Sequence, residues 1–268
     1  MRTIKHILII ALVVMLAANI ATLIYQGTTD TTDPPRLSCP PGVLEVKSTV
    51  SEAELLADIT AYDNQDGDLS AHVILAGVSK LINKDTAKVT YLVFDSDDNM
   101  ASVVRKIRYT DYQKPVFTVK EPLIYNKNDE VDLLSHLTAT CKIDGDISDQ
   151  IRISTMAATD DPEIYDITVQ VTNSKGDTAS ISLPVLRVSN AMLPQVTLKE
   201  YLVYVDVGQE FDPKAQITGV DNAADPDLDD IVIETWGLDT SSPGVYRVSY
   251  KYTDEQGTGT TILTVSVQ

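Results

Sequence analysis

Apolar and polar positions follow two different rhythms along this chain. From Ile7 to Ile24 the run ILIIALVVMLAANIATLI is apolar except at Asn19 and Thr22. At about 1.5 Å rise per residue, about 20 such residues as a helix cross a hydrocarbon core of about 30 Å. Further on the rhythm is period two. VTYLVF, ITVQVT and VSYKYT alternate β-branched or aromatic residues with polar ones, which predicts strands with one buried face. Each is followed by a polar cluster (DSDDN, NSKGD, DEQGT) and a second strand-like run (SVVRKIRY, ASISLPVL, TTILTVSV), so each pair predicts a hairpin. SEAELLADI and VDLLSHL leave room for one helical turn each, too short to alter an all-β class.

The hairpins belong to a longer repeat. Pro35, Pro115 and Pro194 lie 80 and 79 residues apart, and Thr60, Thr138 and Thr218 lie 78 and 80 apart. After each threonine comes an acidic turn: Asp66-Gly67-Asp68, Asp144-Gly145-Asp146 and, one residue later, Asp225-Pro226-Asp227. Behind these turns Leu69, Ile147 and Leu228, then Val73, Ile151 and Val232, are placed to enter a core. About 80 residues with turns every 8 to 12 residues suits a sandwich of about seven strands. The expected organisation is a cytoplasmic tip and membrane anchor over 1–26, a linker over 27–36, and three tandem β-sandwiches over 37–112, 113–190 and 191–268, each folding on its own core.

The third copy carries a family resemblance. GQEFDP from Gly208 to Pro213, then ITGVDNAADPDLDDIVI and GLDTSSPGVYRVSYKYTDEQG, resembles the bacterial immunoglobulin-like repeat of pesticidal crystal proteins and Gram-positive surface proteins. SCPPGVLEV (Ser38–Val46) is similar to the opening of hyalin-type repeats, a related module. The first copy departs from the pattern: Ala87 stands where the others have Tyr165 and Tyr246. The resemblance implies Ig-like sandwiches serving as spacer or adhesion modules, without an inherited active site.

Charge sets the topology. Arg2 and Lys5 precede the apolar run and no acidic residue occurs before Asp30, so the positive-inside rule keeps the N-terminus cytoplasmic and exports the remainder. A cleaved secretory signal is the competing reading, since Ala17, Ala18 and Ala21 offer small residues, but the run exceeds the usual signal core. Those same small residues would also allow a close helix–helix contact within a membrane assembly. The net charge is −18, and −20 without Arg2 and Lys5. Such a surface repels phosphate backbones, so nucleic acid is not an expected partner. Only Cys39 and Cys141 occur, so packing rather than a disulfide framework must hold the cores. Cys141 is expected to be a partly buried small apolar residue, and Cys39 to be free or to bridge a dimer.

The repeated acidic turn is the one feature that suggests chemistry. Counted from Asp63, acids fall at positions 1, 4 and 6 and Ile74 stands at 12, which is not an EF-hand loop. A looser calcium site would draw on Asp63, Asp66 and Asp68, or on Asp221, Asp225 and Asp227. Yet copy two has Cys141 and Asn173 where copy one has Asp63 and Asp95. A turn in which Asp and Asn hydrogen-bond their own backbone is the expected role, with no cofactor. A glycosidase-type carboxylate pair needs two acids facing one cleft, whereas these sit in repeated turns. His6, His72 and His136 have no triad partners, and there is no G-x-S-x-G elbow, C-x-x-C or phosphate-binding glycine loop, so no enzyme is expected.

Aromatic residues give the remaining hint. Trp236 and five of the twelve tyrosines (Tyr201, Tyr204, Tyr246, Tyr250, Tyr252) fall in the last copy. Tyr246, Tyr250 and Tyr252 share one strand face and are expected in the core, Tyr246 at the position of a buried sandwich tyrosine. Trp236 and Tyr201 are the candidates for a contact with a partner protein or cell-wall carbohydrate. The expected function is a single-pass bacterial surface protein acting as spacer or adhesion module. The alternatives are a ligand-binding module working through the distal domain, and an accessory subunit of a membrane assembly.

Overall fold

A computed structural model describes residues 12, 14–21, 33–127, 129 and 131–268. Half of the Ile7–Ile24 anchor candidate lies outside the described residues. Residue 12 and residues 14–21 are helical, and among the described residues no helix is long and apolar enough to cross a membrane.

The described chain is all-β and repeats one sheet-pair unit three times. The first holds β1 (Arg36–Ser38), β2 (Val43–Val46), β3 (Thr60–Asp63), β4 (Gly67–Asp68), β5 (Ile74–Val78), β6 (Thr86–Phe94) and β7 (Met100–Tyr109). A small sheet of order β1-β3-β4 accompanies a four-stranded sheet of order β2-β7-β6-β5. The second unit repeats this with β8 (Val116–Val119), β9 (Ile124–Asn126), β10 (Leu137–Cys141), β11 (Gly145–Asp146), β12 (Arg152–Ala158), β13 (Ile164–Thr172) and β14 (Thr178–Val188), in sheets β11-β10-β8 and β12-β13-β14-β9. The third has six strands: β15 (Gln195–Leu198), β16 (Leu202–Val205), β17 (Ile217–Asp221), β18 (Val232–Glu234), β19 (Gly244–Asp254) and β20 (Gly257–Val267), in sheets β15-β17 and β16-β20-β19-β18.

The period-two runs bury their apolar face as expected. Ala87, Val89, Tyr91 and Val93 on β6, Ile167, Val169 and Val171 on β13, and Val248, Tyr250 and Tyr252 on β19 all point inward. Each valine or isoleucine among them contributes about 1.5–3 kcal/mol by leaving water. Long hairpins pair the central strands, with Val169 opposite Ile181 and Val248 opposite Leu263. The second and third units also close their large sheets with a parallel edge, Leu186 beside Ile124 and Leu202 beside Thr264. The two expected helical turns form. The first is α1 (Glu52–Leu56), with a capping box in which Ser51 Oγ accepts from Glu54 N at 3.2 Å and Glu54 Oε2 accepts from Ser51 N at 2.8 Å. The second is a 3₁₀ turn, Leu133–His136.

Two expectations about the core need correction. In the third copy Leu228 and Val232 are 39% and 57% exposed, and Ile231 is buried instead. Gly67 and Gly145 take positive φ and let β4 and β11 pair back onto β3 and β10. Asp225 takes that positive φ in copy three and Pro226 follows it, no third strand is present among the described residues, and Asp227 caps the following turn itself by accepting from Asp229 N at 2.9 Å. The inward residue is the one that ends this turn, Ile231, at the same 80-residue spacing from Ile151, one residue before the expected Val232.

The second correction concerns separate cores. The chain divides into two compact units. One contains Val50–Val78, Ala87–Arg108 and the residues up to Leu44; the other contains Glu45–Thr49, Ser79–Thr86 and Tyr109–Gln268. Within the latter, buried side chains from Phe117 to Val267 form one continuous cluster. Tyr204 Oη accepts from Phe117 N at 3.1 Å, and Arg247 pairs with Asp166 across the same join.

Candidate functional site

The acidic turns use their oxygens on the backbone. Asp63 is buried, and its Oδ1 accepts from Gln65 N at 2.7 Å and Asp66 N at 3.1 Å. Asp66 reaches the hairpin turn at the end of β6, accepting from Ser96 N at 2.7 Å and Ser96 Oγ at 2.8 Å. Copy two repeats this clamp: Asp144 accepts from Ser174 N at 2.8 Å and Ser174 Oγ at 2.6 Å, while Cys141 Sγ accepts from Asp144 N at 3.3 Å in place of Asp63. Asp68 and Asp146 accept from Ser70 N and Ser148 N, capping the next turn. In copy three Asp225 takes φ 49°, and the two turns are joined instead by Gln256 Nε2 donating to Asn222 O at 3.4 Å.

Ser96 and Ser174 were not foreseen from sequence, although both follow the first turn residue (Asp95, Asn173) at the 78-residue repeat distance. Among the described residues no three His, Cys, Asp or Glu side chains are grouped to hold a metal ion. Millimolar calcium is accordingly expected to leave the melting temperature unchanged; a rise of several degrees reversed by chelator would place an ion at these turns.

The clamps carry a pH dependence. The Ser70 hydroxyl and amide hold Asp68 below the usual carboxylate range, and the Ser148 hydroxyl and amide do the same for Asp146. Burial pushes Asp144 up, but hydrogen bonds from the Ser174 hydroxyl and amide and from Cys141, with the charge of Lys175, outweigh it and leave the carboxyl lowered. A carboxylate whose pKa is lower folded than unfolded stabilises the fold above its unfolded pKa of about 3.9, and that contribution is lost as pH falls through the folded value. Denaturant midpoints should therefore be flat above about pH 5 and fall below about pH 4. Asp144→Asn should flatten that fall, and an unchanged acid limb would show that the clamp contributes nothing.

The two aromatic candidates part company. Tyr201 is buried, with its hydroxyl accepting from Leu198 N at 3.4 Å, so it is a core residue and not a surface contact. Tyr250 and Tyr252 are buried as expected; Tyr246 is half-buried, its hydroxyl donating to Ser242 O at 3.0 Å. Trp236 is 70% exposed. It lies in a turn closed by Leu238 N donating to Thr235 O at 2.9 Å, with Trp236 at φ 47° and Gly237 at φ 76°. Turns with two successive positive φ values favour Asn, Asp and Gly, and a bulky residue there is strained. The indole is nonetheless fixed, because Nε1 donates to Ser249 Oγ at 3.1 Å. Trp236 stands at an open cleft of about 1210 Å³ whose other wall comes from the second sheet pair, including Tyr125, Asp129, Asp160 and Asp161. Cys141 is buried and Cys39 partly exposed, both as free thiols. His136 Nδ1 lies 2.9 Å from Glu121, and His72 ends a 3₁₀ turn.

This arrangement defines a tandem β-sheet protein with structural acidic turns and one presented tryptophan. Residues 199–267 match the family described as bacterial surface protein, Ig-like domain, which bears out the resemblance of the third repeat. Over 213 residues, 75% of the chain, the sequence is 26% identical to pesticidal crystal protein Cry22Aa of Bacillus thuringiensis, of which it spans 28%. Among solved structures, the CBM51-2 and INT domains of Clostridium perfringens ZmpB with GlcNAc overlap 56% of this chain and 41% of theirs, at 14% identity and TM-score 0.24. Drosophila N-cadherin EC1-4 overlaps 88% of this chain and 75% of its own, at 11% identity and TM-score 0.21. Scores of this size define no common fold.

Proposed function

We propose that the chain is a bacterial cell-surface protein, anchored through Ile7–Ile24 with its N-terminus cytoplasmic, whose tandem Ig-like units act as spacer and adhesion modules. The observation that carries this reading is the repetition itself: three sheet pairs of one design, the last matching a bacterial surface Ig-like family. Their conserved-looking polar features serve turns, and the proposal gives the chain no catalytic role. The strongly acidic composition fits a soluble exported portion. The test is topology on intact cells. A C-terminal epitope should be reached by antibody without permeabilisation, and replacing residues 7–24 by an unrelated single-pass anchor should leave surface adhesion unchanged. An epitope reached only after permeabilisation would refute the placement. Adhesion lost with the substituted anchor would favour the accessory-subunit alternative.

The exposed Trp236 supports a second reading, a module that binds a partner protein or cell-wall glycan through the third unit. Saturable binding that depends on Trp236 would favour it over a pure spacer.

A further inference from the structure

The cleft beside Trp236 has a charge balance that selects its occupant. Two cations line it, Arg247 and Lys251, and both are already engaged: Arg247 with Asp166, and Lys251 with Glu234 at 2.8 Å. Glu163 on the opposite wall is held by Lys127 at 3.0 Å. Asp129, Asp160 and Asp161 are left without an ionic partner among the described residues. Like charges sharing one cleft raise its negative potential, and the low-dielectric walls focus it. The same cleft is lined by a fixed, exposed indole, the aromatic surface most attractive to a cation. At about 1210 Å³ the cleft exceeds the usual range for a compact small molecule, about 300–1,000 Å³, and it is open to solvent.

We propose that this cleft docks an extended, lysine- and arginine-rich peptide segment of a partner protein. A cationic side chain stacks on Trp236, and others neutralise the three uncompensated carboxylates. A neutral glycan would stack on the same indole but leave the mutual repulsion of the carboxylates in place. Anionic polymers are repelled by the cleft and by the net charge of −18. The proposal does not depend on anchoring, because the cleft would bind whether or not the chain is held at a membrane. It accounts for a tryptophan kept at positive φ, where glycine would be unstrained.

Trp236 is the sole tryptophan, so its emission reports on the cleft directly. The full chain is titrated with a ten-residue oligoarginine peptide, and in parallel with chitohexaose. Peptide should change the emission saturably, with Kd rising at least about tenfold between low and high salt. Asp129→Asn with Asp160→Asn should weaken binding about tenfold, whereas the charge-matched pair Asp97→Asn with Asp98→Asn, which does not line the cleft, should not. Trp236→Gly, which relieves the strained backbone and so preserves the fold, should lose about tenfold by calorimetry. Equal weakening by the pair outside the cleft would reduce the effect to bulk charge and overturn the proposal. So would an emission change produced by chitohexaose and not by peptide, or no change with either.

Discussion

Replacing Arg105 with leucine is expected to stabilise the first sheet pair. Arg105 lies on the inward face of β7, beside the fully buried Ile107, and is only 7% exposed. Among the described residues its Nε and Nη1 have no hydrogen-bond partner, and its ionic neighbour there, Asp58 Oδ2, is 4.0 Å away on a side chain 61% exposed. The positions equivalent in the repeat, 78 and 158 residues on, are Leu183 and Leu263, at 1% and 0% exposure. The guanidinium therefore bears a desolvation cost that neither its distant carboxylate nor local hydrogen bonds offset. Exchange of poorly compensated buried ions for apolar side chains is neutral to about 4 kcal/mol stabilising, and a gain of about 1 kcal/mol raises the melting temperature of a small domain by about 4–8 °C. Denaturant unfolding of Arg105→Leu should move the midpoint up at constant slope. A fall in stability would mean that Arg105 holds a partner worth more than the burial it costs.

Arg105 was not singled out from sequence, although the repeat places its charge in an inward register filled by leucine twice. The strands, hairpins and the core roles of Tyr250 and Tyr252 were legible because alternation reports which face is buried. The acidic turns were legible as turns because Asp and Gly have local backbone preferences. What alternation cannot report is the register of a turn. The turns end on Val73, Ile151 and Ile231 at the repeat spacing, so Val232 failed because matching Asp225-Pro226-Asp227 to the Asp-Gly-Asp turns set copy three one residue late. Tyr201 failed as a surface candidate because a lone aromatic between two short strands has no periodic context. Contacts across the join, Arg247 with Asp166 and Tyr204 with Phe117, bridge 81 and 87 residues and depend on how the second and third sheet pairs meet. That is also why a continuous cluster replaced the expected separate cores. The charge balance of the cleft follows from the same join, so Trp236 was visible in sequence but its acidic neighbours were not.

Gly259→Ala is expected to be the more damaging of two alanine substitutions at strand glycines in the third unit. A methyl group at Gly259 would fall inside the contact radius of the Pro194 carbonyl oxygen and 2.7 Å from its carbon. Pro194 leads into β15, where Val196 is fully buried and its carbonyl accepts from Thr261 Oγ1 at 2.8 Å. Because the obstacle is backbone, relief requires moving β15 and loosening Val196, at a cost of about 3 kcal/mol. The equivalent residues in the first two units are Ala101 and Ala179, so the close approach is peculiar to the third. At Gly219 a methyl would meet only the Thr197 Oγ1 atom at 3.3 Å, a side-chain atom that accepts from Thr218 Oγ1 at 3.0 Å and has to give by only a few tenths of an ångström. There alanine removes the entropic cost of glycine in a strand, about 0.5–1 kcal/mol, and should be neutral or mildly stabilising. Equal midpoints for the two variants would show that β15 does not lie against β20 at Gly259. A large loss confined to Gly259→Ala would establish that the first strand of the third unit is seated by the missing side chain.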